Sequence, residues 1–150
     1  MPPSKWMARA LAEAAAAAAR GEVPVGAVLV GPDGALLAAA GNRVEELKDP
    51  TAHAELLVVR QGGAALGTPR LAGCDLWVTL EPCPMCAQAI AFARIRRLYY
   101  GADDPKGGGV VHGPRIFASS SCHHRPEIYG GLDAARAAAL LREFFRLRRT

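Results

Sequence analysis

Between Ser4 and Arg20 the stretch "SKWMARALAEAAAAAAR" sets apolar residues against a charged face of Arg9, Glu13 and Arg20. That pattern predicts an amphipathic helix, capped by Ser4 and stopped by Gly21. "VGAVLVG" and "GALLAAAGN" flank the turn "GPDG" and predict a β-hairpin of two buried strands. From Thr51, "TAHAELLVVRQGGAA" combines a capping residue with helix formers and then Gly62-Gly63, which predicts a helix of about three turns. "DLWVTL" at 75–80 and "RLYYG" at 97–101 have the β-branched and aromatic content of strands. Between them "PMCAQAIAFARI" predicts a helix opening on Pro84, a favoured first helical residue. Residues 104–126, rich in Gly, Pro, Ser and His, predict a long irregular segment, and "GLDAARAAALLREFFRLRR" a last helix from about Asp133. Helices alternate with strands after the hairpin, so the expected fold is a three-layer α/β domain around a mixed sheet. Neither an internal repeat nor a linker interrupts it, and 1–150 is read as a single domain.

Composition narrows this picture. A chain of 150 residues can bury roughly 70% of the surface its unfolded form exposes, so it folds without staples. Its longest apolar runs are mostly alanine and fall far short of the ~20 residues of a membrane span. The N-terminal stretch, broken by Arg9, Glu13 and Arg20, is unlike a secretory signal. Without an export signal, a reduced cytoplasmic setting is expected, in which Cys74, Cys83, Cys86 and Cys122 serve as metal or structural thiols. The net charge is +4, much of it in Arg142, Arg146, Arg148 and Arg149. Such a basic end fits nucleic acid, and equally a solvated helix face whose arginines favour the C-terminal dipole.

The chemistry concentrates in "TAHAE" and "EPCPMC", each at the start of a predicted helix. Unpaired N–H groups and the positive dipole end suit anionic ligands there. With Cys83 at the cap and Cys86 in the first turn, both sulfurs reach one point. His53 and Glu55 can share that point only if His53 opens its helix, where Pro50-Thr51 places it. Three protein ligands, His53, Cys83 and Cys86, leave a fourth position for water, the arrangement of catalytic zinc. Glu55 is then the neighbouring carboxylate that moves protons. A closed, structural site completed by Cys74, Cys122, His112, His123 or His124 stays open on spacing alone.

His53-Ala-Glu55 followed by Pro82-Cys83-Pro-Met-Cys86 matches the zinc-deaminase signature. Beyond it, "EVPVGAVLV", "DPTAHAE", "RQGG", "VTLEPCPMCAQAI", "YYGADDPK" and "FFRLRR" resemble the bacterial tRNA-specific adenosine deaminases. The likeness runs from about Trp6 to Arg149. It implies the α/β/α cytidine-deaminase-like fold with a central mixed sheet of about five strands, one Zn2+ per subunit and a homodimer. It also implies a tRNA anticodon loop as substrate, whose wobble adenosine becomes inosine through zinc-activated water and a Glu55 proton shuttle. By the same resemblance Asn42 bonds the purine, Asp104 the ribose of a neighbouring nucleotide, and Phe144 and Arg146 help hold the anticodon loop by stacking and phosphate contact. The stretch 107–131 has no such likeness, and it lies where a substrate loop would pass.

Two rivals follow. A free-base or nucleoside deaminase of the same fold would turn over guanine or cytosine and ignore tRNA. A zinc-stabilised RNA-binding module without catalysis would hold its metal by protein ligands alone and unfold on chelation.

Overall fold

The computed structural model of the chain describes residues 4–148; Arg149, part of the basic end, lies outside the described residues. Helix α1 spans Lys5–Ala19, and the Ser4 hydroxyl accepts the N–H groups of Trp6 and Met7 at 3.0 and 3.2 Å. It ends before Gly21 in the left-handed region, φ +88°. Its buried stripe is Met7, Ala10, Leu11, Ala14 and Ala17, the spacing of one helical face. The hairpin follows as β1, Gly26–Val30, and β2, Leu36–Gly41. A short helix, α2 at Val44–Leu47, precedes α3 at Ala54–Leu66. Then come β3 at Asp75–Leu80, α4 at Pro84–Phe92, β4 at Arg97–Ala102, β5 at Glu127–Tyr129 and α5 at Ala134–Arg148.

The five strands are ordered β2-β1-β3-β4-β5. β1 runs antiparallel to both β2 and β3, whereas β3, β4 and β5 are parallel. Side chains alternate between two cores. Leu29, Leu76, Val78 and Leu98 meet Ala54 and Val58 of α3 and Ala87 and Ile90 of α4, while Val28, Val30 and Trp77 meet Met7 and Leu11 of α1 and Ala137 of α5. The expected three layers and mixed sheet are present, with α3 and α4 on one face and α1 and α5 on the other. Trp77, Tyr99 and Tyr129, paired in register on β3, β4 and β5, stack at 3.8 and 5.1 Å between centroids.

Three expectations need correction. The helix from Thr51 runs straight through Gly62-Gly63 to Leu66 and turns off at Gly67, φ +69°. Gly62 is there for close approach, since a Cβ on it would meet Leu29 Cδ2 at 2.2 Å. Its N-cap is His53, two residues later than Thr51. Strand β2 is only half buried because it is a sheet edge. Residues 104–126 are irregular as expected apart from one 3-10 turn at Ile116–Ala118, and they lead into β5, an unforeseen strand of three residues supported by β4 alone.

Candidate active site

Both helix starts deliver their chemistry to one end of the sheet. His53 is the N-cap of α3 and Cys83 the N-cap of α4, both with extended backbone and neither with a capping bond from its own side chain. Freed from capping, the His53 ring puts Nδ1 at 3.7 Å from Cys83 Sγ and 3.5 Å from Cys86 Sγ. A tetrahedral zinc with bonds of about 2.3 Å to sulfur and about 2.0 Å to nitrogen separates such atoms by about 3.5 Å. The trio therefore fits the ion; all three ligand atoms lie within 4.8 Å of one another, and they form the one such group among the described residues.

One of the two thiols already carries charge for a cation. The Cys86 thiol donates to Cys83 and, against the opposing cost of burial and with help from His53, brings the Cys83 thiol down to about 4; Cys86 itself is pushed up. Cys83 is thus a thiolate at neutral pH.

The other candidates for a closed site are occupied elsewhere. Cys74 is buried in the α3/α4 core, Cys122 Sγ donates to the His124 carbonyl at 3.1 Å, and His123 is exposed. The rings of His124 and His112 bond the Ile95 carbonyl and Glu81 Oε1, each at 2.7 Å. Three protein ligands, with a side open to solvent, are what the chain brings together.

Glu55 lies in the first turn of α3, buried beside this trio. Its Oε1 is the one buried side-chain oxygen or nitrogen among the described residues without a hydrogen-bond partner. Burial pushes its carboxyl up to about 7, although its own backbone N–H and the nearby His53 pull the other way. A carboxyl so placed holds or releases a proton near neutrality.

A cleft of about 680 Å³ opens over these groups, lined among others by Asn42, Asp104, Phe144 and Arg148. Asn42 is buried, and its Oδ1 accepts the Ala54 N–H at 2.8 Å, so it caps the helix that His53 begins. Asp104 accepts the Gly107 N–H at 3.0 Å; the neighbouring Asp103 is exposed and bonds Tyr100 instead. Phe144 is buried with its ring 3.7 Å below the Arg148 guanidinium, while Phe145 is exposed and meets it edge-on. Arg146 does not line the cleft: it is exposed and bonded to Glu143 at 2.7 Å.

Arg148, one of the arginines of "FFRLRR", does line the cleft, being four residues from Phe144 and so on the same helix face. Two cleft residues escaped the sequence reading. Glu22, buried at the end of the α1 turn, accepts the N–H groups of Glu45 and Glu46 at 3.1 and 2.9 Å and holds α2 beside the cleft. Glu81, the first residue of "EPCPMC", collects donors from the 104–112 loop. Nothing local announces either carboxylate, because its partners come from distant segments.

Residues 2–102 match the family model for the cytidine and deoxycytidylate deaminase zinc-binding region. The chain belongs to this family. Within this deaminase family it is 58% identical over 144 residues to the tRNA-specific adenosine deaminase of Agrobacterium fabrum, covering 96% of this chain and 94% of that one. A solved structure from studies of A-to-I editing by tRNA:A34 deaminases at the wobble position of transfer RNA is 58% identical. It superposes with a TM-score of 0.89 over 91% of this chain and 98% of that one. A guanine deaminase from Nitrosomonas europaea is more distant, at 27% identity and a TM-score of 0.81 over 95% and 84% of the two chains. Among the described residues no helix is long and apolar enough to cross a membrane.

Proposed function

We propose that this chain hydrolytically deaminates the wobble adenosine of a tRNA anticodon loop to inosine. The observation that carries this reading is the partnerless Glu55 Oε1, buried beside a zinc-fitting trio at the floor of a cleft. Likeness over nearly the whole length to a tRNA-specific relative supports the substrate.

His53, Cys83 and Cys86 would hold zinc, which when bound supplies a Lewis acid that brings the pKa of water near neutrality. Glu55 accepts the proton of the water that attacks C6 of adenine. It delivers that proton to the ring nitrogen N1 as the water oxygen bonds C6, then takes the proton of the new C6 hydroxyl and passes it to the amino group; the C6–N bond breaks, ammonia departs and the C6 carbonyl of inosine is left. Burial suits the carboxyl to both acts, since a proton is bound and released near pH 7 with little cost either way. Asn42 has its oxygen committed to Ala54, which narrows its role toward the purine from donor and acceptor to donor through Nδ2. Asp104 keeps an oxygen for a ribose 2′-OH of a neighbouring nucleotide. Phe144 and Arg148 form an aromatic and cationic wall, with Arg146 further out for phosphate. The adenosine turns out of the flexible anticodon loop to reach the cleft floor.

A homodimer fits the exposed apolar side chains Met85 and Phe92, seven apart on one face of α4, with Val111 and Ile128 bordering a groove nearby; Phe92 is 70% exposed. Free thiols and a tRNA substrate fit the cytoplasm. The likeness to a guanine deaminase favours one second reading, action on free bases. Incubating the protein with a panel of tRNAs and with free guanine, cytosine and adenine, reading ammonia and inosine together, separates the two. Inosine in tRNA with inert free bases is the expected result, and turnover of a free base without tRNA activity would sink it.

A further inference from the structure

Glu81 is 1% exposed, yet five donors converge on it. Oε1 accepts the Asp104 N–H at 2.9 Å and His112 Nδ1 at 2.7 Å. Oε2 accepts the N–H groups of Val110, Val111 and His112 at 3.1, 2.9 and 3.1 Å. A carboxylate offers about four lone-pair directions, so five donors saturate it. Although Glu81 borders the cleft, neither oxygen is left for metal or substrate. Its effect is on the loop: the segment from Asp104 to His112, whose Asp104 and Gly107 form one wall of the cleft, hangs from a side chain only two residues before the ligand Cys83. The same wall is seated a second time on the metal-bearing turn. The Gly109 N–H donates to the Pro82 carbonyl at 2.8 Å, and a Cβ on Gly109 would meet Pro84 N at 2.6 Å.

His112 is the one side chain among Glu81's partners, and it comes from the stretch that departs from the family resemblance. Its ring shares Oε1 with the Asp104 N–H, so it holds the carboxylate turned toward the residue that lines the cleft. We propose that Glu81 and His112 are a positioning pair that fixes the Asp104 wall relative to the metal turn and so sets how tightly the RNA is held. This inference rests on the wobble-deamination reading. Charge-assisted bonds of this kind are strong, and a buried carboxylate that loses a donor reorients toward those that remain.

The test is steady-state kinetics on a transcribed tRNA for His112→Ala, His112→Asn and Glu81→Gln, with zinc content measured on each. Asparagine can place an N–H close to the position of Nδ1, so it is the rescuing variant. His112→Ala should raise KM for tRNA roughly fivefold to tenfold, with kcat and zinc content close to wild type. His112→Asn should recover most of that loss. Glu81→Gln turns an amide N–H toward the loop donors and should raise KM further; should it fail to fold, the two His112 variants decide alone. An unchanged KM in His112→Ala, or a KM rise that asparagine fails to recover, overturns the pair. So does a fall of kcat and zinc together, which would mean a general loss of the fold. A wild-type protein that makes no inosine in tRNA defeats the functional reading itself, a result distinct from any of these.

Discussion

Asn42 Oδ1 accepts the N–H of Ala54 at 2.8 Å, so a side chain facing the cleft also completes the helix that carries His53 and Glu55. Stability and substrate contact are joined in one amide. Asn42→Ala removes the cap and should lower unfolding free energy by about 1 kcal/mol, along with activity. Asn42→Asp keeps an acceptor at a helix N-terminus and loses the donor. It should melt close to wild type while turning over tRNA far more slowly. Thermal denaturation and inosine yield on the same two variants check this, and equal activity loss without any difference in melting would contradict it.

Glu55 is held with a partnerless oxygen in a buried place, an arrangement that favours reaction over stability. Glu55→Ala should therefore lower kcat roughly 10²- to 10⁴-fold, the usual worth of general acid–base catalysis. It should keep its zinc, because the three ligands are untouched, and its melting temperature should not fall. A variant with full zinc and full activity would remove Glu55 from the mechanism.

What could be read in advance followed what each feature depends on. Helices α1, α3, α4 and α5 and the four longer strands carry their own periodicity, and the trio His53, Cys83 and Cys86 depends on two local helix starts. Those were legible. Strand β5 has three residues and one neighbour, so its pairing to Leu98 and Tyr99 has no local signature. Gly62 looked like a stop because glycine weakens helices in isolation, and only the close approach of Leu29 from strand β1 explains its place. Glu81 and Glu22 are buried carboxylates whose donors lie more than twenty residues away, and their roles emerge only when the chain has closed.

The turn before His53 supplies a pH test. Asp49 Oδ1 accepts from the Thr51 hydroxyl at 2.7 Å and from its N–H at 2.9 Å, which holds the Asp49 carboxyl below its ordinary 3.8. A carboxyl depressed on folding adds stability that is present above pH 3.8 and is lost as pH falls through the folded value. Thr51→Val removes the hydroxyl bond and leaves the backbone one, so Asp49 should titrate higher than in wild type while staying at or below 3.8. Carboxyl-carbon NMR titration reads this directly. An Asp49 that titrates identically in both proteins would mean that the hydroxyl bond does not persist in solution.

Metal removal separates catalysis from scaffolding. The two hydrophobic cores lie on either face of the sheet, and of the three ligands only Cys86 is fully buried. The fold therefore has its main support away from the ion. Zinc bound to the native state alone still stabilises it by mass action, so the chelated protein should melt at a lower temperature. It should nonetheless keep its far-ultraviolet circular dichroism and a cooperative transition, while deamination stops and returns on adding zinc. A zinc-stabilised RNA-binding module behaves oppositely, losing its structure with its metal. Chelation that unfolds the chain at room temperature would favour that module over the enzyme. Retained structure with silenced turnover is the outcome that the open three-ligand site requires.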